Sequence, residues 1–154
     1  GEQMMTGYVG DEEATKKALI SLDGRTWVRT GDYFRQDEQG RLFFMGRKKR
    51  LIKISGINVF PTEIEKVVKE LPFINECACI EYRVKGKPFI KVLVEGEISD
   101  AQKQAVISHV AKRMSHWNIP RCVECVKEFP RTKIGKIDIK GLNYEFGKDT
   151  QGGQ

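Results

Sequence analysis

Four consecutive cations, Arg47-Lys48-Lys49-Arg50, constrain this chain more than any other stretch. Preceded by Gly46, they separate two short apolar segments, residues 42–45 and 51–54. Charges packed side by side cannot be buried together at tolerable cost, so the run must face water or anions and reads as a joint. The second apolar segment ends in Ser55-Gly56, a backbone able to take positive φ or to let a ligand approach closely, and Pro61 then opens a helix.

The 154 residues suit one domain, or a small domain plus a piece of another, and a hydrophobic content of 40% supports a modest core. No apolar run approaches a membrane span, and residues 1–5 lack the basic and apolar regions of a signal peptide, which predicts a cytoplasmic globular chain. The net charge of +6 favours phosphate-rich partners, a class that covers nucleotides, CoA and nucleic acid alike. Much of the excess lies in residues 47–53 and 131–140. Cys77, Cys79, Cys122 and Cys125 form Cys-x-Cys and Cys-x-x-Cys pairs, but both lie in apolar, strand-like segments, where residues three apart point to opposite faces. Buried, reduced thiols are therefore expected, not a zinc site or a disulfide framework.

Residues 27–32 and 41–45 bracket Asp37-Glu38-Gln39-Gly40 and predict a β-hairpin. In residues 61–70, Ile64, Val67, Val68 and Leu71 follow helical spacing, and Pro72 stops the helix. Residues 77–84 and 89–95 alternate as two strands joined by Lys85-Gly86-Lys87-Pro88. Ser99 with Gln102 forms a capping-box signature before a helix expected over 101–117, with Val106, Ile107, Val110, Met114 and Trp117 in one stripe. On that helix His109 and His116 would share a face two turns apart, too far for one metal. Residues 122–126 supply a third strand, and residues 147–154 read as a flexible tail. Helix, two strands, helix and strand make an α+β domain of about a hundred residues, a small three-stranded sheet with flanking helices.

Three stretches in order, Val28-Arg29-Thr30-Gly31-Asp32, the segment from Arg41 to Glu65, and Pro130-Arg131-Thr132-Lys133-Ile134-Gly135-Lys136-Ile137-Asp138, resemble motifs of the adenylate-forming (AMP-dependent) synthetases. That superfamily holds acyl-CoA synthetases, peptide-synthetase adenylation domains and luciferase. The resemblance implies that residues 1–48 are the C-terminal end of a large adenylation domain, ending in a β-hairpin, and that residues 49–146 are the C-terminal lid. It implies a parent enzyme converting a carboxylic acid and ATP to acyl-AMP and pyrophosphate, then forming a thioester with CoA. The phosphate-binding loop, the acid pocket and the ligand of Mg2+ would lie upstream, so the chain alone is expected to be inactive. Wording around Phe129-Pro130 and Ile57-Asn58-Val59 is nearest to acyl- and aryl-CoA ligases.

The resemblance also assigns roles residue by residue. Lys136 is similar to the catalytic lysine, a cation that offsets charge building on the phosphoryl oxygens during attack. Asp32 and Arg47 match nucleotide contacts, the aspartate to ribose hydroxyls, and both residue types suit the task. Lys49 falls at the hinge position, and Gly56 at the loop lining the CoA pantetheine channel. Asn58 departs from the arginine or glutamine carried there by other members, so no arginine phosphate contact is implied at that place. Two other readings remain at this stage: an adenylation domain loading a carrier protein, and a basic RNA- or protein-binding module. The second lacks any aromatic-rich RNA-binding signature, and no nucleic-acid partner is expected. With the large domain missing, Trp27, Phe43 and Phe44 leave open a non-native dimer.

Overall fold

The computed structural model describes residues 3–147, so the tail expected over 147–154 lies, apart from Gly147, outside the described residues. The chain divides into two compact units, Gly1–Lys49 and Arg50–Gln154.

The first unit is built from one short helix and two hairpins. Helix α1 (Glu12–Ala18) is capped by Asp11, whose side chain accepts from Ala14 N–H, with Glu12 and Glu13 at its start and Lys16 and Lys17 at its end. That charge order complements the helix dipole. Strands β1 (Leu19–Leu22) and β2 (Arg25–Val28) pair antiparallel around Asp23-Gly24, both at positive φ, the backbone a two-residue hairpin turn requires. Trp27 thus pairs with Ile20 and does not belong to the hairpin expected for it. Gly31, at φ 77°, breaks the run, and the second hairpin begins only at β3 (Asp32–Gln36), which pairs with β4 (Leu42–Arg47). Asp37 closes that turn by accepting from the N–H groups of Gln39 and Arg41. Trp27, Phe34, Phe43 and Phe44 stay exposed.

The second unit is an α+β fold around a three-stranded sheet. After the 3-10 helix Lys48–Arg50, strands β5 (Ile52–Ile54) and β6 (Ile57–Val59) form a small hairpin, and helix α2 (Pro61–Val68) buries Pro61, Ile64 and Val68. Strands β7 (Cys77–Val84) and β8 (Lys87–Glu95) are antiparallel, and β9 (Cys122–Val126) lies parallel to β8 beyond helix α3 (Asp100–Arg113). A parallel partner needs such a crossover. Ser99 and Gln102 make the expected reciprocal cap.

Alternation along the strands produces two cores. Cys77, Cys79, Val92, Val94 and Val123 pack with Ile52, Val59, Ile64, Val68, Val106 and Val110 on the α2 and α3 face. Ala78, Ile80, Leu93 and Val126 pack on the other face with Phe129 and with Leu142 of helix α4 (Ile139–Phe146). Helix α4 has no counterpart among the elements expected from the sequence, although Asp138 caps it by accepting from Lys140 and Gly141 N–H. Helix α3 is also shorter than the 101–117 expected. That helix ends at Arg113, Met114 is extended, and Trp117 sits in the separate 3-10 turn His116–Asn118. Asn118 N–H donates to the Ser115 carbonyl at 2.9 Å, an i to i−3 bond that closes this separate turn, and His109 and His116 share no helix face.

Candidate functional site

Asp32 and Arg47 end opposite strands of the β3–β4 hairpin and stand across from each other in register. A β-bulge between Tyr33 and Phe34 sets that register, because Phe34 pairs with Phe44 and leaves Met45 as the extra residue. The Arg47 Nη1 lies 3.0 Å from Asp32 Oδ1, without hydrogen-bond alignment, and also donates to the Thr30 carbonyl at 3.4 Å. Asp32 Oδ1 is buried and accepts no hydrogen bond. A desolvated carboxylate oxygen with spare acceptor capacity fits a hydroxyl donor such as a ribose.

Lys49 is exposed in the 3-10 helix Lys48–Arg50, with the boundary between the units directly after it. Arg50 belongs to the second unit and is held there. Its Nη2 and Nη1 donate to Glu65 Oε1 and Oε2 at 2.5 and 3.2 Å, and Nη2 also donates to the Cys79 carbonyl at 3.4 Å. Sequence reasoning missed Glu65 as a partner because the pair spans fifteen residues and two elements.

Gly56 takes φ 85° next to Ser55 at φ 49° in the β5–β6 turn. No atom lies within 4 Å of where its Cβ would stand, so the site is open on that side. Next to it a cavity of about 550 Å³ is lined by Ile54, Ser55, Lys87, Phe89, His116 and Trp117, among others. The Arg121 guanidinium lies over the Phe89 ring at 4.4 Å. Aromatic faces with cations nearby suit a ligand carrying both a flat ring and phosphates.

Lys136 projects from an exposed loop between β9 and α4. The loop is a tight hairpin: Arg131 bridges Ile137, Thr132 N–H donates to the Lys136 carbonyl at 2.7 Å, and Gly135 N–H donates to the Thr132 carbonyl at 2.8 Å. Gly135 at φ 79° makes the turn, a conformation costly for residues with a side chain. Phe129 and Ile137 root the loop in the core on the α4 face, whereas Ile52 and Val59 root the Gly56 hairpin in the core on the α2 and α3 face. Asp32 and Arg47 are thus brought together in the first unit, and Gly56 and Lys136 are mounted on opposite faces of the sheet in the second.

Residues 63–136 match the family described as AMP-binding enzyme C-terminal domain. This stretch is an AMP-binding enzyme C-terminal domain. The chain is 35% identical over 134 residues to 4-coumarate–CoA ligase-like 5 of Oryza sativa subsp. japonica, covering 86% of this chain and 24% of that protein. To a long-chain-fatty-acid–CoA ligase of Escherichia coli it is 31% identical over 151 residues, covering 94% of this chain and 25% of the relative. The crystal structure of an anthranilate CoA ligase in complex with anthranoyl-AMP superposes with a TM-score of 0.76 at 27% identity, over 92% of this chain and 28% of that one. The chain therefore spans about a quarter of the length of the relatives it matches.

Within the AMP-binding enzyme C-terminal domain the cysteines are free thiols in or beside the core. Burial pushes the Cys77 thiol up to about 12, with the nearby Glu65 carboxylate adding to it, and Cys79 is raised well above the usual range for the same reasons. Unfolded thiols ionise near pH ~8.5. Above that pH the unfolded chain releases protons that the folded one keeps, so the stability these thiols contribute is intact below ~8.5 and is lost as pH rises towards 12. Urea midpoints measured between pH 8 and 11 are expected to fall, and Cys77→Ala is expected to flatten the fall. Equal slopes for the two proteins would refute this account. No helix among the described residues is long and apolar enough to cross a membrane.

Proposed function

We propose that this chain is the pivoting C-terminal part of an ATP-dependent ligase that joins a carboxylic acid to CoA. The observation that supports it most is the mounting of Gly56 and Lys136 on opposite faces of one small sheet. A rigid domain whose two chemically useful loops are rooted on opposite faces of its sheet can present each in turn to one active site by turning round. In the first step a carboxylate oxygen bonds to the α-phosphorus of ATP, the bond to the β-phosphate oxygen breaks, and pyrophosphate leaves. Lys136 offsets charge on the phosphoryl oxygens, which two mutually repelling anions need. Asp32 accepts from the ribose hydroxyls through Oδ1, which faces Arg47 but accepts no hydrogen bond, and Arg47 contacts the nucleotide. In the second step the CoA thiol gives its proton to solvent, sulfur bonds to the acyl carbon, and AMP leaves with the carbonyl-to-phosphate oxygen. Gly56 leaves space for the pantetheine arm, and the cavity beside Trp117 and Phe89 receives the nucleotide end of CoA. The Lys49 torsions absorb the turn between steps, and its exposed charge remains hydrated in both states. Residues outside this chain hold Mg2+ and the acid in this reading.

The test has two arms. The isolated chain is expected to show no acid-dependent exchange of pyrophosphate into ATP, and the full-length parent, given free CoA, acid and ATP, to release acyl-CoA detectable by mass spectrometry. Exchange by the isolated chain, or a parent that acylates only a carrier protein, would overturn the corresponding half of the proposal.

A further inference from the structure

The loop bearing Lys136 is held by two residues that none of the motif roles includes. Arg131 Nη1 donates to the Gly135 carbonyl at 3.2 Å, and its Nη2 lies 3.8 Å from Glu95 Oε1. That same Glu95 oxygen accepts from Phe129 N–H at 2.8 Å, at the other end of the loop. Glu95 is the last residue of β8, two positions after buried Leu93 and so on the same face of the sheet, and its backbone is held in the strand. One guanidinium thus ties the loop tip to the rigid strand.

The tie matters because of the peptide it holds. The Gly135 carbonyl belongs to the peptide leading into Lys136, and a glycine can rotate that unit with little steric resistance. Such a rotation swings the direction in which the Lys136 side chain leaves the backbone. The Thr132-to-Lys136 bond fixes the far side of Lys136 but leaves this peptide to the Arg131 contact. Displacements of about 1 Å at a reacting group cost up to roughly a hundredfold in rate.

We propose that Glu95 and Arg131 are positioning residues that hold the Gly135–Lys136 peptide and so aim the Lys136 ammonium before nucleotide binds. The proposal rests on the catalytic reading of Lys136 given above. It deepens that reading by naming what presets the lysine.

The decisive experiment compares Arg131→Ala, Glu95→Gln and Lys136→Ala in the full-length parent, with the two half-reactions assayed separately. Arg131→Ala is expected to slow acyl-AMP formation about tenfold with KM for ATP unchanged, and to leave thioester formation from supplied acyl-AMP within twofold. Added guanidinium should restore part of the rate, because an open cleft of about 440 Å³ lined by Glu95, Lys127, Glu128 and Arg131 adjoins the vacated place. Glu95→Gln keeps an acceptor for Phe129 N–H and loses the charge, so a loss of about threefold is expected. In the chain itself, Arg131→Ala should lower 15N order parameters at Gly135 and Lys136 and leave β7, β8 and β9 unchanged. Adenylation within twofold of wild type, an equal loss in both half-reactions, or unchanged order parameters would overturn the brace. Should Lys136→Ala itself adenylate normally, the catalytic reading falls and takes this one with it; a slow Lys136→Ala beside a normal Arg131→Ala removes the brace alone.

Discussion

Alanine in place of Lys136 is expected to slow acyl-adenylate formation in the full-length enzyme by about 10²–10³, the usual loss when one preorganised donor to a developing oxyanion is removed. Thioester formation from supplied acyl-AMP should stay within about twofold, since the proposed turn clears Lys136 from the site before the thiol arrives. Stability is not expected to move by more than about 0.5 kcal/mol, the range for surface positions. The side chain is exposed, and the loop is closed by backbone bonds and by Arg131, none of which uses the lysine ammonium. Pyrophosphate release timed against acyl-CoA formation separates the steps. A variant that forms acyl-AMP at the wild-type rate would remove Lys136 from the chemistry.

Elements with their own local signature are legible in the sequence alone. Helix α2 shows its buried Ile64 and Val68 as helical spacing behind Pro61, and strands β7 and β8 show alternation around Lys85-Gly86. Ser99 and Gln102 mark the start of α3 because a reciprocal cap is a property of four adjacent residues. The end of α3 was not legible in the same way. Met114 and Trp117 continue the apolar stripe, yet Met114 is extended and a new turn, closed by Asn118 N–H on the Ser115 carbonyl, follows it. Periodicity reports which side chains are apolar and is blind to such a break in the backbone.

Pairing was harder to read than element type. Trp27 fits a strand wherever its partner lies, and the choice of β1 over β4 is made by two glycines, Gly24 closing one turn and Gly31 breaking the run. The candidate site divides along the same line. Asp32, Arg47, Gly56, Lys49 and Lys136 are all carried by motif resemblance, whereas Glu65 and Glu95 gain their place from contacts 15 to 36 positions apart, and Arg131 from one of these together with its bond to Gly135. Single-chain patterns carry no information on such pairs.

Glu65→Ala should destabilise the second unit by about 3 kcal/mol, the lower end for breaking a buried ion pair, because Arg50 keeps some exposure. The cost comes from what the carboxylate leaves behind. Strand β7 is an edge of the three-stranded sheet, so the Cys79 N–H and carbonyl on its outer side have no strand partner. Glu65 Oε1 accepts from that N–H at 2.8 Å, and Arg50 donates to that carbonyl. Removing Glu65 strands a buried amide and leaves unpaired a guanidinium whose Nε already has no partner. Glu65→Gln keeps the acceptor and loses the charge, so roughly half the cost is expected, and Arg50→Met combined with Glu65→Met should recover part of what either loses alone. Urea midpoints with unchanged m-values provide the measurement, and a Glu65→Ala loss below about 1 kcal/mol would show the pair to be ornamental. Arg50 directly follows Lys49, so the same clamp fixes where chain freedom stops. If it holds as described, its loss should lengthen the segment open to proteolysis around 48–50 as well as lower the midpoint. A variant that melts early but is cut no faster there would separate the stability of the sheet edge from the placement of the pivot.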